Sequence, residues 1–184
     1  RWSTPSAKRS TACPGWLSAS PAWCVAWPIA CPSCPTADEI ESIAITPDSR
    51  RIISAGYDRT IRVWNLASGQ ALHTFKGHSD TIRSVTITPD GGQIVSGSAD
   101  MTVKTWELEK HPAYYLLKGV MYFPIHSIAL SPDGKTLFAG TSDDPIRSWD
   151  FETGEEMESL EGHTSLVKSV AVSGNGKRIV SGSA

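Results

Sequence analysis

Serine, histidine and aspartate side chains occur close together in this sequence, and such groups can perform nucleophilic catalysis. The stretch VSGSADMTVKTW, residues 95–106, contains Ser96, Ser98, Asp100 and Trp106, and His78 lies upstream of it. A hydroxyl activated by a histidine that a carboxylate orients is the arrangement of a catalytic triad. Alternatively, these groups hydrogen-bond to one another and staple a turn between two strands, which satisfies their polar atoms.

The stretch is repeated, and repetition favours the staple. ISAGYDRTIRVW at 53–64 and FAGTSDDPIRSW at 138–149 have the same pattern, and VSGSA at 180–184 begins it again. The tryptophans that end the three full stretches are 42 and 43 residues apart, a period typical of repeat architectures. A triad needs an exposed nucleophile, an oxyanion hole and a pocket, whereas a scaffold repeats one device in every unit. We therefore expect a structural role and no enzyme activity.

Each repeat is predicted to form four short antiparallel strands. Between residues 78 and 119 the strand patterns cover 81–87, 93–98, 103–108 and 113–118. A Thr-Pro-Asp-Gly-Gly turn and a short hairpin turn separate the first three of them. Gly97 inside the second strand predicts a close approach by another backbone. No segment has a convincing helical period, so we expect an all-β chain.

Composition is typical of a soluble globular protein. The chain has 184 residues, of which 40% are hydrophobic and 20% charged, with a formal net charge of −2. It has no apolar run of the roughly 18 residues that a membrane-spanning helix needs. We find no metal-ligand cluster, phosphate-binding loop or basic stripe. We therefore expect no cofactor, no membrane partner and no nucleic-acid partner.

Four features recur in the same order within residues 38–184. They are a Gly-His pair, a Pro-Asp-Gly turn, a Ser-Gly-Ser-x-Asp hairpin and a tryptophan that ends the third strand. In this order and at this period they resemble the WD-repeat (WD40) family of β-propellers. The resemblance implies four-stranded blades stacked about an axis, at approximately 38–75, 78–118, 120–160 and a truncated 163–184. We expect an incomplete propeller, an open arc that needs missing blades or a second chain to close.

The resemblance also implies a hydrogen-bonded tetrad in each complete blade. In the second blade it would join His78, Asp100, Trp106 and a strand hydroxyl, which is Ser96 or Ser98. A neutral histidine can donate to the carboxylate from one nitrogen and accept from the hydroxyl at the other. The first blade has no Gly-His pair, the third has Val120 in its place, and the fourth has His163 and Ser181 before the chain ends. His126 falls inside a strand pattern and is interpreted as a packing histidine.

Residues 1–37 match no repeat, contain no acidic residue and hold all four cysteines. One interpretation is a secretory or lipid-anchored signal with Cys31 as acceptor. A second is half a zinc site or a redox pair at Cys31 and Cys34. The third, which the abrupt change at Ala37-Asp38 favours, is an irregular leader, disordered or artefactual. The repeats contain no cysteine, which fits a reducing compartment, and we expect a cytoplasmic location.

A non-catalytic scaffold that binds other proteins or peptides through the loops of one face is the expected function, because rigid frames with variable loops suit binding. The alternatives are a regulatory or sensing array of a larger protein, for example one with a kinase or nucleotide-binding domain, and a gene fragment without independent function.

Aromatic, Met and Arg side chains are enriched at interfaces. The candidate contacts are loop residues at the end where the Gly-His pair lies: Tyr57, Arg59, Asp80, Arg83, Met101, Tyr122, Phe123 and Asp144. For 120–124 the alternative is local packing over the gap left by the missing histidine.

Overall fold

The computed structural model describes residues 39–109, 114–116, 122–143 and 145–184, and within them every regular element is a β-strand. None of the described residues lies in a helix that could cross a membrane. The interpretations of residues 1–37, including those of Cys31 and Cys34, lie outside the described residues. The boundary at residues 37–38 stays a prediction.

Among the described residues, antiparallel strands pair in chain order to form four separate sheets. The first sheet contains β1 (Ile40–Ile45), β2 (Arg51–Gly56), β3 (Thr60–Asn65) and β4 (Ala71–Lys76); the second contains β5 (Ile82–Ile87), β6 (Gln93–Ser98), β7 (Val103–Glu107) and β8 (Tyr114–Leu116); the third contains β9 (Ile125–Leu130), β10 (Thr136–Thr141) and β11 (Arg147–Asp150); the fourth contains β12 (Val167–Val172) and β13 (Ile179–Ser183). Each sheet is one blade. The predicted all-β fold of antiparallel blades, and its incompleteness, are confirmed.

The third blade differs from the predicted four strands. Its outer edge is reduced to two isolated bridges, between Ile146 and Leu160 and between Trp149 and Glu156. The segment that should form the fourth strand, EEMESL at 155–160, is mostly exposed and contains three glutamates. Glutamate has a low strand propensity, and an exposed edge gains little from side-chain packing, so the strand is only partly formed.

Apolar side chains fill the spaces between consecutive blades. Ile53, Phe75 and Ile82 belong to one buried cluster that joins the first and second blades. Two further clusters continue the series, one around Ile125 and Trp149 and one around Val167 and Val170. Each sheet therefore buries a face against its neighbour, which a single four-stranded sheet cannot do alone.

The inner strand of every blade contains a β-bulge near its start. In β1, β5, β9 and β12 the pairing with the next strand skips one residue. These skipped residues are all ionisable: Glu41, Arg83, His126 and Lys168. A bulge bends the strand and redirects the side chain of its extra residue, so each blade presents one such side chain at the same register position.

The serine directly after each of the first three bulges links its blade to the next. Ser42 Oγ accepts a hydrogen bond from the backbone N–H of Val85, at 3.0 Å. Ser84 Oγ accepts from Ile128 N–H and Ser127 Oγ from Val170 N–H, each at 3.1 Å. The same contact at three blade junctions sets neighbouring inner strands in one fixed register.

Gly97 lies where the third blade packs on the second. A Cβ atom at Gly97 would be 2.7 Å from Cγ2 of Ile125 and 2.9 Å from Cγ2 of Ile128. The close approach predicted at this glycine therefore exists, but it involves side chains rather than a backbone. The physical reason is that the blades stack face to face, so side chains of one inner strand point at the neighbouring sheet.

Candidate functional site

Four polar side chains of the second blade form one continuous chain of hydrogen bonds. His78 Nδ1 lies 2.8 Å from Asp100 Oδ2, and His78 Nε2 lies 2.8 Å from Ser96 Oγ. Trp106 Nε1–H donates to the same Ser96 oxygen, also at 2.8 Å. An ionised Asp100 can only accept, so His78 Nδ1 carries the proton and Nε2 accepts from the hydroxyl.

Ser98, the other candidate hydroxyl, makes a different set of contacts. It donates to the carbonyl oxygen of Thr81 at 2.9 Å and lies 3.1 Å from that of Asp80. Its oxygen also accepts from the backbone N–H of Asp100 at 3.1 Å. Ser98 therefore ties the loop before β5 to the hairpin before β7, and Ser96 is the hydroxyl that joins His78 to Trp106.

Burial decides what this network can do chemically. Ser96 has no exposed surface, Trp106 is 1% exposed and His78 is 7% exposed. A substrate cannot reach the Ser96 oxygen, which is already shared between Trp106 and His78. The geometry therefore favours a staple between strands over a nucleophile, because a triad must present its hydroxyl to a bound substrate.

The Asp100 carboxylate is held in its ionised form. Burial by itself raises the pKa of this group, but hydrogen bonds from His78, from Thr102 and from the Ser79 backbone N–H outweigh it. The net result is a pKa far below the usual range for aspartate. A carboxylate that accepts several hydrogen bonds behaves in this way.

Blades without the histidine hold the equivalent aspartate with an arginine. Asp58 in the first blade pairs with Arg62 at 2.7 Å, and Asp143 in the third pairs with Arg147 at 2.6 Å. In the second blade Lys104 has this position, and its Nζ donates to the carbonyl of Gly77 at 2.6 Å. Sequence reasoning missed that an arginine takes the place of the histidine as the partner of the aspartate. The signal was visible: only the blades without the histidine have an arginine two residues before their tryptophan.

The tryptophan of the third blade has no hydroxyl partner in the part of the chain that the structure describes. Trp64 Nε1–H donates to Ser54 Oγ at 2.8 Å, as Trp106 does to Ser96. Ala139 stands at the equivalent position in the third blade, and Trp149 Nε1 is buried with no hydrogen-bond partner among the described residues. In the fourth blade His163 Nε2 lies 2.7 Å from Ser181 Oγ. Each blade therefore contains a different subset of the hydrogen bonds that the second blade has in full.

The loops before the inner strands and the hairpins before the third strands meet at one end of the blades. The backbone N–H of Ala99 donates to Thr81 O at 2.9 Å, and that of Tyr57 donates to Glu39 O at 3.0 Å. We call this end the loop face: the loops and hairpins at residues 39, 57–59, 77–81, 99–102, 122–124 and 142–143, with the adjoining bulges.

Four large apolar side chains of the loop face are exposed. The exposed fractions are 48% for Tyr57, 43% for Met101, 69% for Tyr122 and 41% for Phe123. Arg59 and Asp80 are also exposed, and Arg83 is half-buried. Asp144 lies outside the described residues.

Two of these side chains sit at strained backbone positions. Arg59 has a φ of 61° and Met101 a φ of 65°, in the left-handed region that glycine and asparagine occupy at lower cost. Strained residues of this kind cluster at binding sites. The hairpin tips therefore project an arginine and a methionine into solvent at the expense of local stability.

His126 lies at the bulge of β9 rather than at a regular strand position. Its Nε2 is 2.9 Å from Ser142 Oγ in the hairpin before the third strand. Burial lowers the pKa of His126, and the positive charges of Arg83 and Lys168 lower it further. Within the described residues, no group of three or more His, Cys, Asp or Glu side chains could hold a metal ion.

Comparisons with known proteins agree with the repeat pattern. The model of the family "WD domain, G-beta repeat" matches residues 27–65, 69–107, 119–150 and 154–184. Over 42 residues the chain is 38% identical to proteins described as "Probable E3 ubiquitin ligase complex SCF subunit sconB" from Arthroderma benhamiae and Trichophyton verrucosum, a match to 23% of this chain and 6% of each relative. Over 39 residues it is 41% identical to "Dynein assembly factor with WD repeat domains 1" from Xenopus laevis, covering 21% of this chain and 9% of the relative. Each match therefore spans less than a tenth of the relative's length.

Proposed function

The chain belongs to the WD-repeat family, whose members in general are non-catalytic protein-interaction domains, and we propose that it binds other proteins through its loop face. The names of two similar proteins describe a complex subunit and an assembly factor, which fits a role in holding proteins together. The blades supply a rigid frame, and the loops supply the contact surface.

Exposed apolar side chains on one face are the observation that carries this proposal. Tyr57, Met101, Tyr122 and Phe123 come from the loops of three successive blades and remain exposed. Aromatic and methionine side chains are enriched at interfaces, where burying them excludes water. The hydroxyls and histidine of the second blade are buried in the staple, which leaves the loops as the surface that a partner can reach.

The exposure of Tyr122 also bears on the packing alternative. A side chain that fills the gap left by the missing histidine would be buried, but Tyr122 is 69% exposed. Its ring is available to a partner, and Phe123 beside it is 41% exposed. We infer that these two residues form the apolar centre of the interface.

A pull-down with the immobilised chain tests the proposal. The double variant Tyr122→Ser/Phe123→Ser should recover less of the bound protein than wild type, since interface aromatics supply much of the binding energy. The matched control is Leu66→Ser/Leu72→Ser, which removes two exposed apolar side chains from outside the loop face. Circular dichroism checks that each variant stays folded. Equal recovery by wild type and the Tyr122/Phe123 variant, with the fold intact, contradicts the proposal.

A further inference from the structure

Three of the four bulges place nitrogen-bearing side chains on consecutive blades. The bulge residues of the second, third and fourth blades are Arg83, His126 and Lys168. We call these three residues the bulge cluster. The first blade has Glu41 at the same position, so positive charge at this position comes from Arg83 in the second blade and Lys168 in the fourth, with His126 between them.

The serine links hold the bulge cluster at one level of the inner strands. Ser84 follows Arg83 directly, and its hydroxyl accepts from the backbone of β9 two residues after His126. Ser127 follows His126, and its hydroxyl accepts from the backbone of β12 two residues after Lys168. Because each link has the same register, the three side chains leave their strands at matching heights next to the loop face.

Acidic partners for the bulge cluster are absent from the described part of the chain. No carboxylate there lies within ion-pair distance of Arg83 or Lys168. Arg83 Nε is buried and makes no hydrogen bond to any described residue. An unsatisfied buried donor costs free energy unless a bound group accepts from it.

The three side chains also act on one another electrostatically. The charges of Arg83 and Lys168 add to burial in lowering the pKa of His126. A bound carboxylate would offset this repulsion and accept hydrogen bonds from the exposed Lys168 ammonium and the half-buried Arg83 guanidinium. Charge-assisted hydrogen bonds of this type are stronger than those between neutral groups.

We propose that the bulge cluster binds a carboxylate-rich segment of the partner protein, an inference that rests on the loop face being the binding face. Exposed Tyr122 and Phe123 lie in the loop that leads into β9, so the apolar surface adjoins the charged one. A peptide with acidic and apolar side chains matches both. Nucleic acid would need an extended basic surface, and the net charge of −2 provides no such field.

Fluorescence anisotropy with two labelled peptides tests this inference. One peptide alternates Glu with Leu, and the other has Gln in place of every Glu. The Glu peptide should bind wild type more tightly, and added salt should weaken it by screening. Arg83→Gln and Lys168→Gln should each weaken it about two- to fivefold, the range for exposed charge pairs, whereas Arg83→Lys keeps most of the affinity.

The matched control is Lys177→Gln, which removes the same charge from an exposed turn outside the loop face and should leave binding unchanged. Equal binding of the Glu and Gln peptides overturns the inference, as does an equal loss with Lys177→Gln. Binding of inorganic phosphate alone, with neither peptide bound, also overturns it. If both peptides bind equally but lose affinity in Tyr122→Ser/Phe123→Ser, the loop face stands as the binding face and only the charge-based inference fails.

Discussion

Each hairpin aspartate is held by a hydrogen-bond donor that its own blade supplies. Asp100 accepts from His78 and is 5% exposed at its side chain, whereas Asp143 accepts from Arg147 and is 15% exposed. An arginine that reaches solvent can be hydrated when its partner is lost, but a buried histidine cannot. The same residue type at the same position therefore contributes differently to stability in different blades.

Asp100→Ala should lower the free energy of unfolding by about 1–3 kcal/mol, because it leaves His78 Nδ1 and the Ser79 backbone N–H without their acceptor. Asp143→Ala should cost less. The pKa of Asp100 is lowered in the folded state, so its contribution is present above the unfolded-state pKa of about 3.9 and is lost as pH falls below it. Urea denaturation of both variants at several pH values measures their free energies of unfolding. If both variants lose the same free energy at neutral pH, the hydrogen-bond network of the second blade does not account for the effect of Asp100→Ala.

Ala139→Ser should stabilise the chain. The new hydroxyl would stand where Ser96 and Ser54 stand and could accept from Trp149 Nε1–H, which now has no partner in the described residues. One added hydrogen bond contributes about 0.5–1.5 kcal/mol. The control places the same change in a Trp149→Phe background, where no indole N–H exists. A gain that persists there would contradict the assigned contact.

The sequence predicted those members of the hydrogen-bond network that recur as the same residue type at a fixed spacing. It did not predict members whose role a different residue type takes in another blade. The positions of His78, Asp100 and Trp106 recur at fixed spacing, so the pattern pointed to them. Arg62 and Arg147 hold the aspartate from a different position than the histidine does. Their spacing was visible in the sequence, but the structure was needed to show that they contact the aspartate. The choice between Ser96 and Ser98 likewise needed the register of β6 against β7.

At the scale of the element, the inner strand connects one blade to the next. Its serine accepts from a backbone N–H of the following strand, and its apolar residues pack on the glycine of the preceding sheet, as Ile125 does on Gly97. The strand boundaries were predictable from alternation and turn residues. The serine links were not, because a hydroxyl within a strand pattern does not reveal which neighbour it faces.

Ser84→Ala should destabilise the chain by about 1–3 kcal/mol, because the buried backbone N–H of Ile128 loses its acceptor. Ser169→Ala is the matched control. Ser169 has the same position in the fourth blade, but it is exposed and no backbone N–H of a further blade bonds to it among the described residues. At a protein concentration low enough to prevent self-association, its change should leave the denaturation midpoint nearly unaltered. Equal effects of the two substitutions would show that the blade link contributes nothing.

At the scale of the whole molecule, the repeats leave the two end blades unequal to the inner ones. Ile43 in the first blade is 63% exposed, whereas Val85 and Ile128 at the equivalent positions are 5% and 6% exposed. In the fourth blade a Cβ atom on Gly182 would meet no described residue within 4 Å, although the equivalent Gly97 is tightly covered. The first blade thus exposes an inner-strand face that normally packs on a preceding blade, and the fourth blade exposes a face on which a following blade would pack.

We expect the chain to self-associate head to tail, with the first blade of one copy on the fourth blade of another. In that arrangement Ile43 would pack near Gly182 and its backbone N–H would reach Ser169, as Val85 packs on the first blade and reaches Ser42. The interface is heterologous, so association can continue beyond a dimer. Light scattering after size exclusion should show mass above that of one chain, rising with concentration.

Ile43→Glu should reduce the mass by placing a charge in this interface, whereas Leu72→Glu, on the outer strand of the same blade, should not. A monodisperse monomer with a sharp, cooperative melt would show that the end faces are covered in another way, because uncovered apolar surface of this kind favours association.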